Sequence, residues 1–337
     1  GTATNAVQAK VTDANGNVVP NATVNFSAGN GGAITTAAVT TDANGLASTT
    51  LTNVTAGVTK VTAAVDGHSQ SVDTTFVADS SSATIINGDL VVTKDNAKAD
   101  GTATNAVQAK VTDANGNVVP NVTVNFSAGN GGAIITAAVT TDANGLASTT
   151  LTNVTAGVTR VTATVNGHSQ SVDTTFVADS GTATIFNGDL IVTVDNAKAD
   201  GTAANSVRAK VMDANGNVVP NVTVNFSAGN GGVITTAAVT TDANGLASTT
   251  LTNVTAGVTK VTATVNGHSQ SVDTTFVADG GTATIVSGNL VVTVDNAKAD
   301  GTATNAVQAK VTDANGNVVP NVTVNFTANN GGSITTA

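Results

Sequence analysis

Three groupings of reactive or ligating side chains recur along this chain. His168, Ser169 and Asp173 are the residue types of a nucleophilic hydrolase, in which a hydroxyl attacks, an imidazole takes its proton and a carboxylate orients the imidazole. His68 and His268 open the same pattern one period before and after. A triad needs its members to converge from separate elements. These three lie on one short stretch after an Asn-Gly turn, with side chains alternating in direction, so a solvent-exposed hairpin is the better reading. Asp113-x-Asn115-x-Asn117 has the alternating oxygen donors of a calcium loop. The EF-hand pattern wants Gly at its sixth position and a closing Glu; here Gly116 is fourth and the chain contains no Glu. A turn held by Asx hydrogen bonds is favoured instead. Asp179, Asp189, Asp195 and Asp200 form the third grouping. Gathered at a domain joint they would bind calcium and stiffen it; left apart they are a solvated acidic surface, which is the favoured reading.

Asn121-Val122-Thr123, Asn125-Phe126-Ser127 and Asn153-Val154-Thr155 match the N-glycosylation pattern, which a chain this rich in Asn and Thr produces by chance. There is no Arg-Gly-Asp, no phosphate-binding glycine loop and no cluster with metal-ligand spacing. No catalytic, cofactor-binding or metal-ligating residue is assigned, and no cofactor is expected.

The elements that carry these residues are repeated. Gly1 to Lys10 returns unchanged at Gly101 to Lys110 and at Gly301 to Lys310, and with three changes (Ala204, Ser206, Arg208) at Gly201 to Lys210. The 100-residue period, without insertion or deletion, exceeds the common solenoid repeats of roughly 20–50 residues and has the size of a small domain. Each repeat is therefore expected to fold alone.

With no cysteine in 337 residues, these domains are held by burial and not by disulfides; about 100 residues suffice for an independent core. Val and Thr favour strands, and Asn and Gly favour tight turns. The net charge of −10, carried by Asp alone, repels phosphate backbones and anionic membrane surfaces, so nucleic acid is excluded as a natural partner. No run of 18 apolar residues spans a bilayer as a helix.

In the second repeat, Asn105–Thr112 alternates, with Val107, Ala109 and Val111 on one face. After the turn at 113–117, Pro120 leads into a strand that buries Val122, Val124 and Phe126. Ile134–Thr141 reads as a weaker strand with Ile135, Ala137 and Val139 on one face. Leu146–Asn153 turns Ala147, Thr149 and Leu151 inward, and Thr159–Val165 turns Val161, Ala163 and Val165 inward. Asn166-Gly167 is a type I′ hairpin signal, and Ser169–Ala178 closes the domain through Val172, Thr174 and Phe176. A seventh strand, Ala183–Val194, opens the next repeat. Seven short strands with regular turn signals predict a two-sheet sandwich. The domains are expected at 1–79, lacking its first strand, at 80–179, at 180–279, and at 280–337, truncated.

Val111-Thr112-Asp113-Ala114-Asn115-Gly116-Asn117-Val118-Val119-Pro120 followed by Val122-Thr123-Val124-Asn125-Phe126 resembles the signature of group 1 bacterial immunoglobulin-like domains. Ala99-Asp100-Gly101-Thr102, Thr141 to Ala147, Leu151-Thr152 and Ala156-Gly157 add to the resemblance, which recurs in every repeat. Such domains build the passenger arms of the intimin and invasin family of outer-membrane adhesins, the inverse autotransporters; the long, highly repetitive members are nearest in character. The resemblance implies an all-β chain of tandem immunoglobulin-like sandwiches in an elongated array. It implies a parent anchored in the bacterial outer membrane through an N-terminal barrel that is missing here. It also implies contact with a host-cell or matrix receptor through a tip domain, likewise missing.

At about 3.3 Å per strand residue one domain advances about 40 Å, and three to four reach about 150 Å. Only Asp179, Ser180, Gly181 and Thr182 separate Phe176-Val177-Ala178 from Ala183-Thr184-Ile185, a joint too short to act as a flexible tether. Ile86, Phe186 and Val286 are expected to pack at the domain edge or on the neighbour. The function expected is an extracellular stalk that projects a distal adhesive domain, with no enzymatic activity. The alternative is that the repeats are weak multivalent binding modules for host protein, glycan or sister chains, homotypic contacts included.

Overall fold

A computed structural model describes residues 2–335; Gly1, Thr336 and Ala337, at the outer ends of the first and fourth repeats, lie outside the described residues. The chain divides into two compact units, Gly1–Val177 and Ala178–Ala337. The architecture is all-β, as tandem two-sheet sandwiches, with only short 3-10 turns besides among the described residues.

In the first unit the second repeat shows the complete sandwich. One sheet runs in the order Ala133–Ile134, Leu146–Thr152, Asn105–Lys110, Leu90–Lys94. The facing sheet runs Ala138–Thr140, Thr123–Ala128, Gly157–Val165, His168–Val177, Ala97–Lys98. Val107, Ala109, Val111, Val124, Leu151, Val161, Ala163 and Phe176 fill the space between them and are almost wholly buried. The alternation read from the sequence puts these residues inward because successive strand side chains face opposite ways. The Asn166-Gly167 hairpin has positive φ at both residues, 48° and 81°, as a type I′ turn requires. In the second unit the third repeat reproduces both sheets and its own core.

Two strands differ from the sequence reading. The Ile134–Thr141 stretch is two strands: Ala133–Ile134 pairs with Leu146–Thr152, whereas Ala138–Thr140 pairs with Thr123–Ala128 in the opposite sheet. A period-two pattern does not survive a change of sheet. Ile135 is therefore 61% exposed, while Ile134 and Val139 pack on the core. The opening strand is likewise divided. In the second unit Thr184 bridges to Met212, Leu190–Val194 pairs antiparallel with Ala204–Lys210, and Ala197–Lys198 crosses to pair parallel with His268–Val277. The opening segment thus closes an edge of both sheets. Ile86, Phe186 and Val286 are exposed rather than packed away.

Candidate functional site: the joint between repeats

The His-Ser-Asp grouping does not converge. His168 is exposed at the start of its strand. The Ser169 hydroxyl shares a hydrogen bond with Thr164 Oγ1 at 2.8 Å, and Asp173 accepts from Arg160 Nε at 3.1 Å across the hairpin. Of the four aspartates named as a possible calcium cluster, three have their carboxylates engaged separately. Asp179 accepts from Gly181 N and caps a 3-10 turn. Asp195 accepts from Thr274 Oγ1 and Thr275 N, both at 2.7 Å, and Asp200 accepts from Thr202 and Ala203. Asp189 accepts Lys210 N on its main-chain oxygen. Among the described residues no group of three or more His, Cys, Asp or Glu side chains is placed to hold a metal. Of the glycosylation-pattern asparagines, Asn153 is buried, its amide donating to Asn130 O and Thr159 Oγ1.

The Asp-x-Asn-x-Asn loop does something that its reading as a plain turn missed. Asp113 organises it: one carboxylate oxygen accepts Asn115 N and Asn117 N, both at 2.9 Å. The other accepts Asn117 Nδ2 at 2.9 Å and Asp79 N at 3.1 Å. Gly116 takes φ of 84°, which lets the chain double back. The Asn117 side chain, so held, reaches into the preceding repeat. Its Nδ2 donates to Val54 O at 2.9 Å and its Oδ1 accepts Ala56 N at 2.8 Å. A side-chain amide presents one donor and one acceptor side by side, the pattern a peptide group presents, and here it completes a peptide edge.

The receiving loop is prepared for it. Asn53, between Leu51 and Gly57, turns its amide inward: Nδ2 donates to Asn30 O and Thr59 Oγ1, and Oδ1 accepts Thr55 N. With Asn53 holding the loop from within, the Val54 carbonyl and Ala56 N–H face outward. The aspartate at the hub stays ionised. Burial pushes the Asp113 carboxyl up, but the bonds from the Asn117 side chain and from the Asp79, Asn117 and Asn115 N–H groups outweigh it and hold it below the ordinary carboxylate value.

In the second unit the same clasp joins the third and fourth repeats. Asn317 Nδ2 donates to Val254 O at 3.0 Å, and its Oδ1 accepts Ala256 N at 2.8 Å. Asn315 Nδ2 donates to Ala199 O at 2.9 Å, and Lys198 Nζ pairs with Asp279 Oδ1 at 2.8 Å. Asp279 in turn donates its N–H to Asp313 Oδ2 at 3.1 Å. The signal for this site in the sequence was the return of two amide side chains after an aspartate in the same loop of every repeat. Their partners lie about sixty residues or more upstream, beyond the range of any local pattern.

The chemistry at the joint is therefore amide-to-backbone recognition centred on a carboxylate, joined in the second unit by the Lys198–Asp279 ion pair. Comparison with known proteins agrees in kind. A family model described as bacterial Ig-like domain (group 1) matches residues 1–77, 87–177, 187–277 and 287–337. The inverse autotransporter adhesin YeeJ of Escherichia coli (strain K12) is 33% identical over 351 residues, spanning 95% of this chain; the chain spans 14% of that adhesin. Two solved structures share the fold. FdeC, an Escherichia coli adhesin, aligns with TM-score 0.54 and 20% identity over 82% of this chain and 92% of its own. InvD of Yersinia pseudotuberculosis aligns with TM-score 0.54 and 17% identity over 81% and 92%.

Proposed function

Because this chain belongs to the group 1 bacterial Ig-like domain family, we propose that it is a run of stalk repeats from a surface adhesin, holding a distal adhesive domain away from the outer membrane. The observation that carries the reading is the joint. In each unit the loop of one repeat grips the backbone of the one before through Asn117 or Asn317, whose amide both donates to and accepts from that backbone. A module whose repeated Asp-x-Asn-x-Asn loop is spent on holding its neighbour is suited to transmitting reach and force. The reading assigns the chain no catalytic step. Contact with a host-cell or matrix receptor belongs, on this reading, to a tip domain of the parent protein, and the anchor to its barrel.

Small-angle X-ray scattering of the chain, first with calcium and then with chelator, tests the proposal. A stalk gives a maximum dimension of about 40 Å for each complete domain, from the strand rise, unchanged by the chelator. A compact particle in both conditions would reject the stalk. The competing reading, weak multivalent binding by the repeats themselves, predicts that the purified chain adheres to host cells or matrix with no tip domain present.

A further inference from the structure

In the third repeat the opening segment ties the entry of the chain to its exit. It starts at the 3-10 turn Ser180–Thr182, where Asn266 Nδ2 donates to Ser180 O at 2.8 Å. Thr184 and Met212 exchange two backbone bonds, at 2.8 and 3.0 Å. Leu190–Val194 then joins one sheet and Ala197–Lys198 the other, where it lies parallel to Phe276–Val277 at the end of the closing strand.

Chain polarity fixes how load meets this parallel pair. Tension at the entry drags the opening segment back toward Ser180, against its own direction. Tension at the exit drags the closing strand forward, along its direction. Two parallel strands pulled in opposite senses along a shared axis slide past each other, so the bonds between them load together instead of opening one at a time. Asn196 N donates to Thr275 O at 3.0 Å and Ala199 N to Val277 O at 2.7 Å. Asp195 Oδ1 accepts from Thr274 Oγ1 and Thr275 N, both at 2.7 Å. Asn205, fully buried, accepts Ala197 N and donates to Thr275 O, both at 2.9 Å. The second repeat has the same bonds, from Asn96 N to Thr175 O at 3.0 Å and from Ala99 N to Val177 O at 2.7 Å, with Asp95 accepting from Thr174 and Thr175.

The far end of the segment is held by the next repeat. Asn315 Nδ2 donates to Ala199 O at 2.9 Å, so Ala199 is bonded through its N–H to the closing strand and through its carbonyl to the fourth repeat. Lys198 Nζ pairs with Asp279 Oδ1 at 2.8 Å. Two residues on, Gly201 N donates to Asn253 O at 3.0 Å, which joins the segment to the loop whose Val254 and Ala256 are gripped by Asn317. One loop of the fourth repeat therefore holds both the end of the opening segment and the loop beside it.

We propose that the opening segment is a load-bearing strap, sheared against the closing strand of its own repeat, and that the following repeat locks it by seating Asn315 on Ala199 and Asp279 on Lys198. This rests on the stalk reading, in which tension passes along the chain. It names the element that sets how much tension a repeat withstands, and it makes that resistance depend on the neighbour. The amide carries more of the lock than the ion pair, because Lys198 is largely exposed and such pairs are weak in water.

Holding the full chain by its two ends in optical tweezers tests this. Two events that each release about 100 residues are expected, from the second and third repeats. Their lifetimes at constant force report the barrier to unfolding. Asp195→Ala removes two bonds of the strap. Asn315→Ala removes the lock alone, since the Asn315 main-chain N–H keeps its bond to Asp313. Each variant is expected to shorten the lifetime of one event and leave the other as it is. N315A does so by roughly two- to tenfold, the worth of one hydrogen bond, and D195A by more. Without load, hydrogen exchange in N315A is expected to quicken by a similar factor at the Asn196 and Ala199 amides and to stay unchanged along Gly257–Val265. Unchanged lifetimes in both variants overturn the strap. A shortened lifetime in D195A with none in N315A overturns the lock. Scattering decides the stalk by its shape, so a failed stalk and a failed strap are told apart.

Discussion

The first and second repeats are nearly the same sequence, but only the second has its opening segment within residues 1–337. Val7, Ala9 and Val11 are half-buried in one; Val107, Ala109 and Val111 are wholly buried in the other. The difference is one segment, Leu90–Lys98, which adds a strand to each sheet of the second repeat. A core is thus a property of the set of edges that are closed, and identical side chains contribute different stabilities according to what lies over them.

The largest expected effect follows from Phe176, which is 1% exposed, against Phe76, which is half-buried. Phe176→Ala is expected to destabilise the second repeat by about 3–5 kcal/mol, and Phe76→Ala to destabilise the first by clearly less. Hydrogen exchange read by mass spectrometry resolves the two repeats separately. Equal losses of protection would mean that coverage by the opening segment does not set the contribution of this phenylalanine.

Asn105 sharpens the comparison at a polar site. It accepts Ala97 N at 2.9 Å and donates to Thr174 Oγ1 and Thr175 O at 2.9 and 2.8 Å, with no exposed surface. Asn5 keeps only the two donations, to Thr74 and Thr75. Asn105→Ala strands a buried N–H and is expected to cost about 1–3 kcal/mol, against about 1 kcal/mol for Asn5→Ala. Denaturant-dependent exchange of the His168–Val177 and His68–Phe76 amides measures both.

The smallest effect on stability, and the most specific, concerns the joint. Asn117 grips Val54 and Ala56, whereas Asn17 bonds only Asp13 in its own loop. Asn117→Ala is expected to leave both sandwiches folded and to broaden the distance distribution between spin labels placed on the first and second repeats; Asn17→Ala is expected to change nothing there. The clasp also has a defined dependence on pH. The Asp113 carboxyl is held below its ordinary value of 3.8 in the folded chain, so its contribution is complete above that value and is lost as the pH falls through the depressed one. The Ala56 amide resonance is expected to be constant from neutral pH down to the ordinary carboxylate range and to shift only below it. A shift near neutrality would place the control of the joint elsewhere.

Much of this was legible in the residues. The period, the inward faces of Asn105–Lys110, Leu146–Thr152 and Gly157–Val165, and the Asn166-Gly167 turn all follow from short-range sterics: alternation along a strand, and positive φ that Asn and Gly tolerate. The family resemblance lay in the same residues. Less was legible wherever the chain changes partner. The break between Ala133–Ile134 and Ala138–Thr140, and the crossing at Ala97–Lys98 from one sheet to the other, leave no mark on a period-two pattern. By itself the sequence determined which way the strands that keep to one sheet face, Asn105–Lys110 and Leu146–Thr152 among them, because those choices are made within a few residues. Only the tertiary structure decided which edges are covered and that Asn117 meets Val54, sixty-three residues away. Those contacts depend on elements that sequence spacing does not bring together, and they come into being only when folded surfaces meet.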